Sequence, residues 1–186
     1  MTARAEAWPL RLASENDVPA LEELITLSTR VLQARYYNTA QLDRAIGSVF
    51  GVDHQLIRDA SYFVAEEAGR IIGCGGWSRR HTLHGSDRHR VGEDPPLDPV
   101  VDAARIRAFF VHPEWSRRGI ASSILARCET ELQMAGFRRA EIVATLAGEP
   151  LYAAFGYRSD QRLALPLEDG LTIEGVRMSK DFGVGC

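Results

Sequence analysis

The chain has 186 residues, 45% of them hydrophobic and 25% charged, enough apolar material for one packed core. Its net charge of −3 and pI near 6.0 exclude the basic footprint of a nucleic-acid binder. Cys74, Cys128 and Cys186 lie far apart, without metal-ligand or redox spacing. No bound metal is therefore expected, and reduced thiols in a cytoplasmic protein are the simplest reading. The opening MTARAEAWPLRLAS has no long apolar run and reads as neither signal peptide nor membrane anchor.

Residues 8–13 read as a first strand. Ser14 or Asp17 then caps a helix over 18–29, with Leu21, Leu24, Ile25 and Ser28 on its inner stripe. A weaker helical pattern over 36–49 stops near Gly47 or Gly51. Residues 62–65 and 70–77 form an antiparallel hairpin around Glu66-Glu67-Ala68-Gly69. The stretch 79–104 is polar and proline-bearing, with Arg79-Arg80-His81 and Arg88-His89-Arg90 giving way to Glu93-Asp94 and Asp102. It reads as a long loop, which in a compact domain is either functional or mobile. An apolar strand follows over 104–111, broken by His112-Pro113. The helix over 119–135 repeats Ile120, Ile124, Cys128 and Leu132 every four residues, with Leu125 on the same stripe and Arg127 and Glu131 outside. Gly136 caps its end. A strand over 139–145, a short helix over 150–155 closed by Gly156, and a hairpin of 162–167 with 171–178 complete the chain. This order predicts an α/β (mixed α+β) fold, a single domain over 1–186 with one sheet and helices on both faces.

The segment Val111-His112-Pro113-Glu114-Trp115-Ser116-Arg117-Arg118-Gly119-Ile120-Ala121-Ser122 places strand, breaker, basic turn and helix start in succession. Backbone N–H groups at a helix start lack intrahelical partners, and the macrodipole adds positive charge there, so a phosphate fits. Gly119 and Ala121 keep the approach open, Arg117 and Arg118 add charge, and Ser122 offers a hydroxyl. A basic turn before a helix is also a common solvated cap.

Its context resembles the GCN5-related N-acetyltransferase (GNAT) superfamily, in element order over 8–180 and most sharply over 106–122 and 150–157. The family's pyrophosphate loop reads Arg or Gln, two residues, Gly, one residue, Gly or Ala. Gly119 and Ala121 fill the small positions, while Ser116 departs from the first. The resemblance implies a mostly antiparallel sheet splayed between its fourth and fifth strands. It implies acetyl-CoA as cosubstrate, held by Phe109, Val111, Arg117, Arg118, Gly119, Ile120, Ala121 and Ser122. Leu151-Tyr152 and Phe155-Gly156-Tyr157 resemble the family's tyrosine segment, which implies that Tyr152 protonates the departing thiolate. Thr145-Leu146 stands where many members carry asparagine.

By resemblance, a small-molecule amine attacks directly, with a backbone N–H near Val111 facing the developing oxyanion. No nucleic acid, membrane or metal is implied, and the oligomeric state is open between monomer and homodimer. No base is identifiable in the sequence: Glu66, Glu67, Glu93, Asp94 and His81 are candidates, each read more readily as a solvated surface charge. The loop over 79–104 is expected on the acceptor side, its acidic half suiting a cationic amine. Protein or peptide N-acetylation and a non-catalytic acyl-CoA sensor are the rival readings.

Overall fold

The structure is a computed structural model that describes residues 8–86 and 92–183. Arg88-His89-Arg90 and Cys186 lie outside the described residues. Seven strands form one sheet: β1 (Leu10–Leu12), β2 (Tyr62–Glu67), β3 (Arg70–Ser78), β4 (Ala104–Val111), β5 (Arg139–Thr145), β6 (Arg158–Pro166) and β7 (Thr172–Asp181). Their spatial order is β1-β2-β3-β4-β5-β7-β6. Every neighbouring pair is antiparallel except β4 with β5. Helices α1 (Val18–Leu32), α2 (Thr39–Ala45), α3 (His54–Arg58), α4 (Ile120–Met134) and α5 (Glu149–Ala154) complete the described elements, with single turns of 3-10 helix between some of them.

The central strands of the sheet bury side chains on both faces, because successive side chains along a strand point to opposite sides. Phe63 and Ala65 of β2 join Ile72, Ile106 and the stripe of α4 on one face. Tyr62 and Val64 join Cys74, Phe110 and the inner residues of α1 and α3 on the other. The four-residue repeat of α4 is realised as expected: Ile120, Ile124, Leu125, Cys128 and Leu132 are buried. Arg127 and Glu131 pair outside at 2.8 Å. Leu21, Leu24, Ile25 and Ser28 likewise line the inner face of α1, which runs one turn beyond its expected end.

Two differences have local causes. The helical pattern over 36–49 yields only α2, because Asn38 and Gln41 cap one another's backbone at 2.9 and 3.0 Å and start the helix late. Beyond α2 the chain turns through Gly47, at φ 88. Asp53 then starts the five-residue α3 by accepting from the Gln55 N–H at 3.1 Å, a helix too short to leave a periodic signal. The β2–β3 hairpin is tighter than expected, since Glu66 and Glu67 pair with Ile71 and Arg70. That leaves Ala68 and Gly69 as a two-residue turn, both at positive φ (49 and 78), matching the strand twist.

Candidate active site

β4 and β5 pair at only two positions, Ala104 with Ala140 and Arg105 with Glu141, and then part. A bulge in β4 drives the separation. Cys74 opposes Phe110 and Gly76 opposes Arg107, so Ala108 and Phe109 together face Gly75. Ala108 sits at φ 57, a backbone conformation that costs a non-glycine residue about 1–3 kcal/mol and collects at functional sites. Gly75 makes the bulge possible: a Cβ there would lie 2.7 Å from the Phe109 ring. The wedge opens into a cleft of about 910 Å³. Beyond the bulge, His112 N–H donates to Ile72 O on the β3 side at 2.9 Å. Alternation therefore turns the Val111 N–H to the opposite, unpaired edge of the strand.

At the end of β4 the chain makes one 3-10 turn over Pro113–Trp115. Arg117 and Gly119 then both adopt positive φ, 63 and 84. Gly119 is the N-cap of α4; nothing within 4 Å would meet a Cβ there, so its backbone angle, and not crowding by the protein, calls for glycine. Ser123 N–H makes the first helical bond, to Gly119 O at 2.9 Å, which leaves the earlier N–H groups facing outward. Ser116, Arg117, Gly119, Ile120, Ala121 and Ser122 line the cleft, as do Phe109, Val111 and Tyr152, whereas Arg118 does not. Instead the Arg118 carbonyl accepts from the Trp8 indole at 2.9 Å on the back of the turn. Gly73 seats the helix start against the sheet, since a Cβ at that position would overlap Ile120 Cγ2.

Tyr152 of α5 is buried. It packs edge-on to Phe109 and Tyr157, at 6.1 and 5.8 Å between ring centroids. Burial first, and then nearby Cys128, raises its pKa above the ordinary phenol value. Cys74 and Cys128 are buried and free. Burial pushes the Cys74 thiol up to about 12 and raises Cys128 as well, so neither is a ready nucleophile. At the asparagine position, Leu146 N–H donates to the Tyr37 hydroxyl at 2.9 Å, and Tyr37 in turn donates to Glu174 O at 2.7 Å.

The cleft continues past the wedge to the opposite side of β4. There it is walled by Val31 at the end of α1 and Tyr36 in the turn after it, by Phe50, by Leu83, His84 and Gly85, and by Leu165 and Ile173. None of Glu66, Glu67, Glu93, Asp94 and His81 lines it. Glu66 pairs with Arg11 at 2.7 Å, and Asp94 accepts from Thr82 N–H at 3.0 Å. The acidic half of the long loop also turns elsewhere: Asp98 N–H donates to Asp102 Oδ2 at 2.8 Å, closing the segment on itself. Among the described residues of the loop, 83–85 reach the cleft. A buried ion pair that sequence reasoning did not foresee holds it there. Arg107 of β4 pairs with Asp53 at 2.6 Å, with 3% and 1% of their side chains exposed, and donates to Thr82 O at 3.0 Å and to Gly85 O. Among the described residues, no helix is long and apolar enough to cross a membrane.

The sequence model of the family described as acetyltransferase (GNAT) domain matches residues 58–159, a stretch that contains β4, the turn before α4, and Tyr152. An acetyltransferase of Sodalis glossinidius is 24% identical over 163 residues, 86% of this chain and 90% of that protein. A GCN5-related N-acetyltransferase structure from Rhodopseudomonas palustris superposes with a TM-score of 0.71 at 17% identity, covering 97% of this chain and 99% of that one. A GNAT family acetyltransferase from Brucella melitensis, in complex with acetyl-CoA, gives 0.56 at 15% identity over 96% and 90% of the two chains. The two structural likenesses are likenesses of fold.

Proposed function

Because the chain belongs to the acetyltransferase (GNAT) family, we propose that it moves the acetyl group of acetyl-CoA onto a primary amine of a small molecule, by direct attack in the cleft between β4 and β5. The observation that carries this reading is a single cleft joining the outward N–H groups of α4, the open edge of β4 and the Tyr152 ring. Those features fit the cosubstrate. The start of α4, flanked by Arg117, suits a pyrophosphate. The unpaired edge beyond Phe109 suits an extended amide-bearing arm, in the manner of an added strand.

Bound there, acetyl-CoA supplies an activated acyl group. The residues of this chain do the rest. Ile120, Ala121 and Ser122 hold the anion through backbone N–H groups, and Phe109 and Val111 align the arm. The Val111 N–H points to where negative charge develops on the acyl oxygen. Tyr152 Oη holds a proton for the departing sulfur. The inert cysteines support transfer without a covalent enzyme intermediate. Val31, Phe50, Leu83 and Ile173 give the acceptor half apolar walls, a setting for a compact amine.

Calorimetry with CoA and acetyl-CoA, followed by thiol release with phenethylamine, spermidine, free lysine and a hexapeptide with N-terminal alanine, tests this reading. Micromolar-scale cosubstrate binding, lost in Gly119→Glu, is expected. Unchanged binding in that variant would sink the site assignment. Turnover of the hexapeptide alone would move the acceptor to the peptide class.

A further inference from the structure

We propose that His84 is the general base that takes the proton from the acceptor ammonium. The inference deepens the acetyltransfer reading above and rests on it. The observation behind it is a process of elimination inside the cleft. Among the described residues that line it, the ionisable side chains are Arg35, Tyr36, His84, Arg107, Arg117, Tyr152 and Glu174. Guanidinium groups and phenols are protonated at neutral pH and cannot accept. Glu174 accepts from Arg162 at 2.6 Å, which commits its carboxylate to a cation outside the cleft. The imidazole of His84 remains.

Its backbone is held on both sides, as a base that must meet a nitrogen at hydrogen-bond distance requires. Arg107 donates to the carbonyls of Thr82 and Gly85, the residues two before and one after it in the chain. Ser86 N–H donates to Ser48 O at 2.8 Å, and Ser86 Oγ to Gly47 O at 3.0 Å. The short segment therefore spans from β4 to the turn after α2, with His84 between its anchors. Arg107 immediately precedes the bulge at Ala108 and Phe109, so the segment it holds lies over the part of β4 where the wedge opens.

The electrostatics agree with the role. Desolvation by the cleft wall, and then the Arg107 charge, hold the imidazole below its ordinary value, so it is neutral and able to accept at neutral pH. Among the described residues, the charged groups that line the cleft with it are Arg107, whose partner is Asp53, Arg35 just beyond α1, Arg117 before α4, and Glu174 from β7. In the step itself, the ammonium gives one proton to His84. The N–C bond then forms as the C–S bond breaks, the amine nitrogen sheds its second proton, and the thiolate takes one up. His84 returns its proton to water, so one proton is released per turnover.

Two aromatic amines of nearly the same shape separate a base from a packing residue. Phenethylamine is an ammonium ion at neutral pH and needs deprotonation; O-benzylhydroxylamine is already neutral. With acetyl-CoA, His84→Gln should lower kcat/KM for phenethylamine at least about tenfold and remove the acid limb of its pH profile. It should leave O-benzylhydroxylamine turnover and CoA affinity nearly unchanged. Equal losses for both amines, or none, would overturn the assignment, as would an acid limb that disappears in Glu174→Gln and persists in His84→Gln. Wild-type protein that fails to bind acetyl-CoA would sink the acetyltransfer reading and this inference with it. Wild-type turnover matched by His84→Gln would sink the inference alone.

Discussion

Tyr152 illustrates how much a single side chain owes to its surroundings. Burial raises its pKa, so the phenol keeps its proton throughout the neutral range and stands ready as a donor, while Phe109 and Tyr157 fix the ring from two sides. Tyr152→Phe preserves the ring and that packing and deletes only the proton. Single-turnover kinetics of the variant should show a chemical rate at least about tenfold slower, with CoA affinity nearly intact. A wild-type rate under those conditions would leave Tyr152 as a packing residue, with water protonating the sulfur. The tyrosine is recognisable in the sequence through the resemblance of Leu151-Tyr152 and Phe155-Gly156-Tyr157 to the family segment. His84 is not, because no local pattern separates it from His81, three residues earlier and outside the cleft.

At the scale of elements, the cleft depends on how closely α4 and β4 approach β3. Gly73 and Gly75 of β3 are what permit it: one receives Ile120, the other the Phe109 ring. Gly73→Ala adds a single methyl where Ile120 already lies. It should lift the start of α4, cost about 1–3 kcal/mol as overpacking does, and weaken CoA binding, because the N–H groups that would face the pyrophosphate ride on that helix. Urea unfolding together with calorimetry on the same variant checks both effects. A loss of stability with CoA affinity unchanged would mean that the helix start does not set the site. Gly73-Cys74-Gly75-Gly76 reads in the sequence as part of an ordinary strand, since the reason for its small residues lies on elements far along the chain.

Across the whole molecule, the Asp53–Arg107 pair ties the start of α3, β4 and the loop at 82–85 into one wall of the cleft. Asp53→Asn keeps an oxygen to cap α3 but leaves the buried guanidinium without its counter-charge. Removing one partner of such a pair costs about 3–5 kcal/mol. The expected result is a lower unfolding midpoint and a raised acceptor KM, with CoA affinity retained on the far side of β4. An acceptor KM that stays at the wild-type value would detach this wall from acceptor binding.

The sequence by itself determined whatever is written in local periodicity and local chemistry. The four-residue stripe of α4, the apolar run of β2, the breaker at His112-Pro113, and the small residues Gly119 and Ala121 all announce themselves within a dozen residues. Only the tertiary structure decided the rest. It placed the bulge at Ala108, set the Arg118 carbonyl against Trp8 behind the turn before α4, drew Leu83, His84 and Gly85 into the cleft, and turned the acidic half of that loop away. The first three of these outcomes are set by contacts between distant segments: Phe109 over Gly75, Trp8 on Arg118, Arg107 with Asp53 and with the carbonyls at 82 and 85. No pattern within one segment encodes a contact whose other half lies tens of residues away.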